Sequence, residues 1–297
     1  MSKILVIGAT NIDTNYYLPL LPKPGESVHC ISDKASSLGG KGLNQATAAS
    51  RAGVQVSFLS CLGKDKEADY ILSHIDKPLD AHFQQVDKAT GSATILVEES
   101  GENEVIVDSG ANKELTVSVL EKNRALFEEA NFILLQNEMP FSSNEWILRK
   151  YGEEKHILYN PSPLCDIPAD LYPYIGTLVV NELEAKTLAK SDSKEEAIER
   201  LSSFGAKRIL LTLGGKGSAL YENGEETVFV PAQKVDVVDT VGAGDTYAGY
   251  FVAALALGLS DKEAMSLATF ASALSVTKKG AISSIPTLKE VIAFIKK

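Results

Sequence analysis

The run Asp239-Thr240-Val241-Gly242-Ala243-Gly244-Asp245-Thr246 follows a β-like stretch and opens a long apolar segment from Ala243 to Leu257 that stops at Gly258. Glycines at a helix entrance let unpaired backbone N–H groups converge on an anion, and the positive end of the helix adds to that attraction. An oxyanion or phosphate could sit at Gly242, Ala243 and Gly244. Asp245, in the first turn, would be close enough to take a proton from an attacking hydroxyl while those amides stabilise a transferring phosphoryl group. An acidic residue is also favoured at any helix N-terminus, so the spacing alone leaves both readings of Asp245 open.

A second glycine-rich stretch, Gly39-Gly40-Lys41-Gly42-Leu43-Asn44-Gln45, precedes a helical run over Ala46 to Ala52. Its glycines permit close backbone approach, and Lys41 and Asn44 supply donors that match hydroxyls. The alternatives here are a sugar site, a phosphate site or a plain turn with an exposed lysine. A Walker A loop is excluded, because Ala35 stands where its first glycine belongs and no Ser or Thr follows Lys41. Asn181-Glu182-Leu183-Glu184 follows the expected strand Leu178 to Val180, where Glu184 could help hold hydrated magnesium or simply belong to a helix start. Thr212-Leu213-Gly214-Gly215-Lys216-Gly217 ends another strand in a turn that either contacts a nucleotide or only reverses the chain. Asn11 and Asp13, just past the first strand, pair an amide with a carboxylate as a sugar site requires, though turn capping needs the same types.

These segments need a scaffold that brings distant loops to one edge. Strand-like runs at Ile4 to Ile7, Val56 to Leu59, Phe132 to Leu135, His156 to Tyr159, Leu178 to Val180 and Arg208 to Leu211 alternate with helix-length segments. That alternation predicts βαβ units: an α/β fold with a doubly wound, mainly parallel sheet. Two stretches break the rhythm, Asp13 to Leu38 and Ser92 to Asp108. The second reads as a hairpin, Ala93 to Val97 and Glu104 to Val107, around the turn Glu99-Ser100-Gly101-Glu102-Asn103. Together they predict a small β-sheet appendage, either a cover over a site or a purely structural element. Ser260 and Glu263 form a candidate capping box for the next helix.

The whole chain sets the outer bounds. Its 297 residues, 44% hydrophobic, can bury a substantial core. A net charge of -10, dispersed along the chain, offers no basic footprint, so no nucleic-acid partner is expected. The N-terminus runs from Met1 straight into a strand without a signal-peptide pattern, and no segment approaches about 18 uninterrupted apolar residues. A cytoplasmic protein without a membrane partner is expected. Cys30, Cys61 and Cys165 are scattered and read as reduced thiols, and His29, His74, His82 and His156 form no zinc-ligand pair.

Taken in order, the motifs resemble the ribokinase-like (PfkB) carbohydrate kinases over nearly the whole chain. The matching residues are Asn11-Ile12-Asp13, Pro24-Gly25-Glu26, Gly39 to Ala46, Gly110-Ala111-Asn112, Asn137-Glu138, Asn160-Pro161-Ser162-Pro163, Asn181 to Glu184 and Asp239 to Thr246. The resemblance implies an α/β body (1–10, 39–91 and 109–297) and a discontinuous β lid (11–38 and 92–108). It assigns Asp245 as catalytic base and Gly242, Ala243 and Gly244 as the anion hole. Asn11, Asp13, Gly40, Lys41, Asn44 and Glu138 would contact the sugar, together with Asp245. Asn181, Thr212, Gly214, Gly215 and Gly217 would line the ATP side, and Glu184 would act through magnesium-bound water. A monovalent cation, usually potassium, would be held at Asp239, Val241, Ser275, Lys278, Gly280 and Ser284, mostly by backbone oxygens. Thr269 stands where a histidine near adenine is common. The implied reaction is ATP-dependent phosphorylation of a small sugar, D-ribose to D-ribose 5-phosphate, with deoxyribose, another pentose, a ketose or a nucleoside as alternatives. A non-catalytic sensor on the same fold would have no need of Asp245. The family also implies a homodimer joined through the lids.

Overall fold

The computed structural model describes residues 3–100 and 102–296. Met1, and Gly101 of the expected hairpin turn, lie outside the described residues.

Ile4-Leu5-Val6-Ile7 has no polar side to offer water, so it forms a strand covered on both faces. Alternation along this strand, β1 (Ile4–Ile7), divides the core. Ile4 and Val6 pack with Leu43, Phe251 and Met265 on one face, whereas Leu5 and Ile7 pack with Phe127, Tyr159 and Leu211 on the other. Parallel neighbours extend the sheet: β4 (Val56–Leu62), β5 (Asp80–Gln85), β8 (Phe132–Leu135), β9 (His156–Tyr159), β10 (Thr177–Asn181) and β11 (Arg208–Thr212). An antiparallel hairpin, β12 (Gly217–Glu222) and β13 (Glu225–Pro231), closes one edge in the order β13-β12-β11-β10-β9-β8-β1-β4-β5. The expected fold class is the one found.

A second sheet, β3-β2-β6-β7, combines β2 (Asn11–Leu18), β3 (Ala35–Gly39), β6 (Gly91–Glu98) and β7 (Asn103–Asp108). It draws on the two inserts that broke the βα rhythm, and its strands reach one residue further than expected, to Gly39 and Gly91. Val105, Ile106 and Val107 of its edge strand are exposed at 54%, 63% and 52%.

Three differences from the sequence reading have local causes. β5, β12 and β13 were not anticipated, because β5 is a polar edge strand and the hairpin carries its pairing into a glycine-rich turn. The β-like run before Asp239 is not a strand: β13 ends at Pro231, and Val238 and Asp239 instead donate their N–H groups to Val276 O at 2.8 and 3.2 Å. The helix placed at Ala46 to Ala52 starts five residues earlier, as α1 (Lys41–Arg51). The glycine-rich motif is therefore largely the first turns of α1 and not a loop before it. The helix that opens at Ala243 runs Ala243–Ala256, and the one after it, Asp261–Ser275, carries the Ser260–Glu263 capping box.

Candidate active site

The carboxyl ends of the parallel strands deliver the polar residues to one edge, where ligands of open α/β sheets bind. Gln136 to Glu138 follow β8, Asn160 follows β9, Asn181 ends β10 and Thr212 ends β11. From the other side come the N-termini of α1 and of the Ala243–Ala256 helix. Gly40 caps α1 with φ of 90°, a left-handed conformation that glycine adopts without strain. Gly42 then lies so close to β1 that an added Cβ would stand 2.5 Å from Gly8 C.

At the centre is Asp245, 6% exposed, with both carboxylate oxygens bound by α1 amides. Asn44 Nδ2 donates to Oδ2 and Gln45 Nε2 donates to Oδ1, each at 2.9 Å. Three further ionisable groups converge on it. Burial, then the negative charge of Asp245, pushes the Asp13 carboxyl up to about 6. Burial pushes Glu138 up to about 7, although the Lys41 backbone N–H, which donates to its Oε2 at 2.7 Å, and the Lys41 charge oppose this. Lys41 is itself held above the usual ammonium range, chiefly by Asp245. Two acceptors point into this cluster without partners among the described residues, Asp13 Oδ1 and Asn44 Oδ1. A buried acceptor left unsatisfied is costly, and a sugar hydroxyl is a donor of the required kind. Asn11, 3% exposed, accepts from Asn112 Nδ2 at 2.8 Å, and Asn112 also binds the Thr10 backbone, so the root of β2 is fixed by a residue beyond β7.

The glycine loop has the expected form, with Gly242 at φ of 75°. Among the described residues no acceptor engages the N–H of Gly242 or Gly244, whereas Ala243 N donates to Thr240 O at 3.2 Å. The space beside Gly244 is open. A groove of about 580 Å³ leads away from it, lined by Thr212, Gly214, Gly215, Gly217, Tyr247 and Thr269. Thr269 Oγ1 is buried there without a partner among the described residues. An elongated polyanion with a planar base fits such a groove, with its phosphates at the helix N-terminus.

Asn181 and Glu184 stand further out and form a capping box: Asn181 Oδ1 accepts from Glu184 N and Glu184 Oε2 accepts from Asn181 N, both at 2.8 Å. The helix-start reading of this motif is therefore real, and it leaves Glu184 Oε1 for another partner. Asp239 ties two loops together, its carboxylate accepting from Val241 N at 3.0 Å and Gly280 N at 2.8 Å. Ser275, the last residue of the Asp261–Ser275 helix, and Ser284, on the loop beyond it, are buried, and the Lys278 ammonium is held by Glu290 at 3.2 Å. No group of three or more His, Cys, Asp and Glu able to hold a metal occurs among the described residues. With one carboxylate each from Asp239 and Glu184, a hard cation at either place would take the rest of its ligands from backbone oxygens or water.

Gln45, Gln136 and Asn112 were not singled out as site residues from the sequence. Gln45 sits beside Asn44 in the α1 motif, and the apolar strand before Gln136 ends on a polar residue, which are the signals that could have marked them.

The model of the pfkB family of carbohydrate kinases matches residues 1–288. The chain is 34% identical to the ribokinase of Schizosaccharomyces pombe, over 98% of this chain and 97% of that one. It is 35% identical to the ribokinase of Lactococcus lactis, over 100% and 98%. Among solved structures it is similar to a ribokinase from Thermotoga maritima, with a TM-score of 0.93, 34% identity and full coverage of both chains. It is also similar to an Arabidopsis thaliana ribokinase complexed with ribose and ATP, with a TM-score of 0.89 and 29% identity over 100% and 99% of the two chains.

Proposed function

Because this chain belongs to the pfkB family of carbohydrate kinases, we propose that it transfers the γ-phosphoryl group of ATP to the 5-hydroxyl of D-ribose. The observation that carries this reading is the buried Asp245 carboxylate beside a helix N-terminus, facing unpartnered hydroxyl acceptors on one side and an open groove on the other.

The sugar lies among Asn11, Asp13, Gly40, Lys41, Asn44 and Glu138, its hydroxyls donating to Asp13, Glu138 and Asn44 Oδ1 and accepting from Lys41. Asp245 accepts the proton of the attacking hydroxyl as its oxygen bonds to the γ-phosphorus and the bond to the β-phosphate oxygen breaks. The free N–H groups of Gly242 and Gly244 stabilise the charge on the equatorial oxygens, and that of Ala243 joins them by exchanging its bond to Thr240. ATP takes the groove past Asn181, Thr212, Gly214, Gly215 and Gly217. Glu184 would hold magnesium through water, which neutralises charge on the phosphates. Asp239, with the backbone at Val241, Ser275, Lys278, Gly280 and Ser284, would hold a monovalent cation, potassium, that stiffens the anion-hole loop.

Segments 11–38 and 92–108 act as a lid over the body formed by 1–10, 39–91 and 109–297, and closure excludes water that would otherwise take the phosphoryl group. The exposed Val105, Ile106 and Val107 join two lids in a homodimer, covering an apolar edge strand that would otherwise stand open. No helix among the described residues is long and apolar enough to cross a membrane, and we place the activity in the cytoplasm. The test is the ³¹P spectrum of the product formed from ATP, magnesium, potassium and ribose. A phosphomonoester on C5 supports the proposal, and an ester at another carbon, or none, rejects it.

A further inference from the structure

We propose that Gln136, acting through Gln45, holds the Asp245 carboxylate in its reacting orientation and leaves Oδ2 as the oxygen that accepts the sugar's proton; this rests on the kinase reading above.

A run of amides whose polarity is set from one end carries the inference. The Val179 carbonyl of β10 can only accept, so Asn160 turns Nδ2 toward it, at 2.9 Å, and presents Oδ1 to α1. Gln45 meets two acceptors with one nitrogen: Nε2 donates to Asn160 Oδ1 at 3.2 Å and to Asp245 Oδ1 at 2.9 Å. Its remaining atom, Oε1, accepts from Gln136 Nε2 at 2.7 Å. Gln45 and Gln136 are both 0% exposed, so bulk solvent reaches neither partner. Reversing the Gln45 amide would set its oxygen against the oxygens of Asn160 and Asp245, and nitrogen against nitrogen at Gln136. In a buried site that loses every bond Gln45 makes.

The opposite oxygen of Asp245 is held differently. Asn44 donates to Oδ2, but Asn44 Oδ1 has no partner among the described residues, so nothing on its far side fixes that amide. The Asn44 bond can be exchanged for a sugar hydroxyl, whereas Gln45 is held on both sides, by Asn160 Oδ1 and by Gln136 Nε2, with Gln136 Oε1 itself buried without a partner among the described residues. Oδ1 is thus the anchored oxygen and Oδ2 the reacting one. Gln136 touches neither sugar nor Asp245 and is a positioning residue.

The test is a double-mutant cycle of Gln136→Met and Gln45→Met on the full chain, with melting temperatures recorded and Gln136→Leu as a second variant where methionine does not fold. Losing a hydrogen bond that orients a charged group predicts a fall in kcat of about tenfold or more for Gln136→Met, with the ribose KM within about twofold. In the Gln45→Met background Gln136→Met should change kcat no further. An unchanged kcat, a loss confined to KM, or effects that multiply would overturn the proposal. Independently of turnover, hydrogen exchange of the Gln45 side-chain NH₂, assigned by its loss in Gln45→Met, should accelerate about tenfold in Gln136→Met, and an unchanged rate also overturns it. A wild type that phosphorylates no sugar would remove the kinase reading, while the exchange rates would still decide whether Gln136 fixes Gln45.

Discussion

Three carboxyl groups, Asp13, Glu138 and Asp245, share one buried cluster with the Lys41 ammonium, and the sugar site proposed there comes at the expense of stability. Asp13 and Glu138, raised to about 6 and about 7, hold their protons more tightly folded than unfolded. The stability they contribute is complete below the ordinary carboxylate range and is lost as pH rises through about 6 to 7. Asp13→Asn and Glu138→Gln should therefore each stabilise the fold at pH 8, by on the order of 1–3 kcal/mol, with the gain fading toward pH 4, as read from urea midpoints. The same variants should raise the ribose KM at least about tenfold at pH 8, since each removes a charged acceptor. A variant that gains no stability at pH 8 would mean that these carboxylates are better solvated than their burial implies. Asp13, Lys41 and Asp245 were legible because each sits in a short local motif, whereas Glu138 entered only through the family resemblance. The amide run was not legible: Gln45 and Gln136 lie 91 positions apart, and a glutamine reads as a surface residue until the fold buries it.

At the scale of elements, α1 and the Ala243–Ala256 helix carry most of the site, and they approach closely because Gly249 has no side chain. A Cβ there would stand 2.5 Å from both Ala48 Cβ and Gln45 O. Gly249→Ala should push the helices apart, destabilise the fold by about 1–3 kcal/mol in thermal melts and lower kcat by moving Gln45 against Asp245. The Asp239 carboxylate makes a different link, joining the loop before Gly242 to Gly280. Asp239→Ala should abolish any stimulation by potassium, measured as the ratio of rates with and without the ion. Hydrophobic patterning identified the buried parallel strands and the long apolar helix well, since both are built from continuous apolar runs. It failed where pattern and pairing part company: β5 pairs with a polar sequence, and Val235 to Val238 look like a strand yet have no strand to pair with.

For the whole molecule, the alternation of strands and helices sufficed to name a doubly wound α/β body, and the two interruptions of that rhythm are the ones that build the second sheet. The dimer proposed through the second sheet lies beyond one chain's pattern, but the exposed Ile106 makes it testable. Sedimentation should find a dimer that Ile106→Lys converts to monomer, with closure around the sugar weakened and its KM raised. The most direct measurement is ATP consumption, with magnesium and potassium, against ribose, deoxyribose, fructose, other pentoses and nucleosides, with Asp245→Asn run beside the wild type. The account predicts turnover on ribose above the rest of the panel and a fall of roughly 10²–10⁴-fold in kcat for the variant. Turnover that survives in Asp245→Asn, or none on any sugar by the wild type, would contradict it.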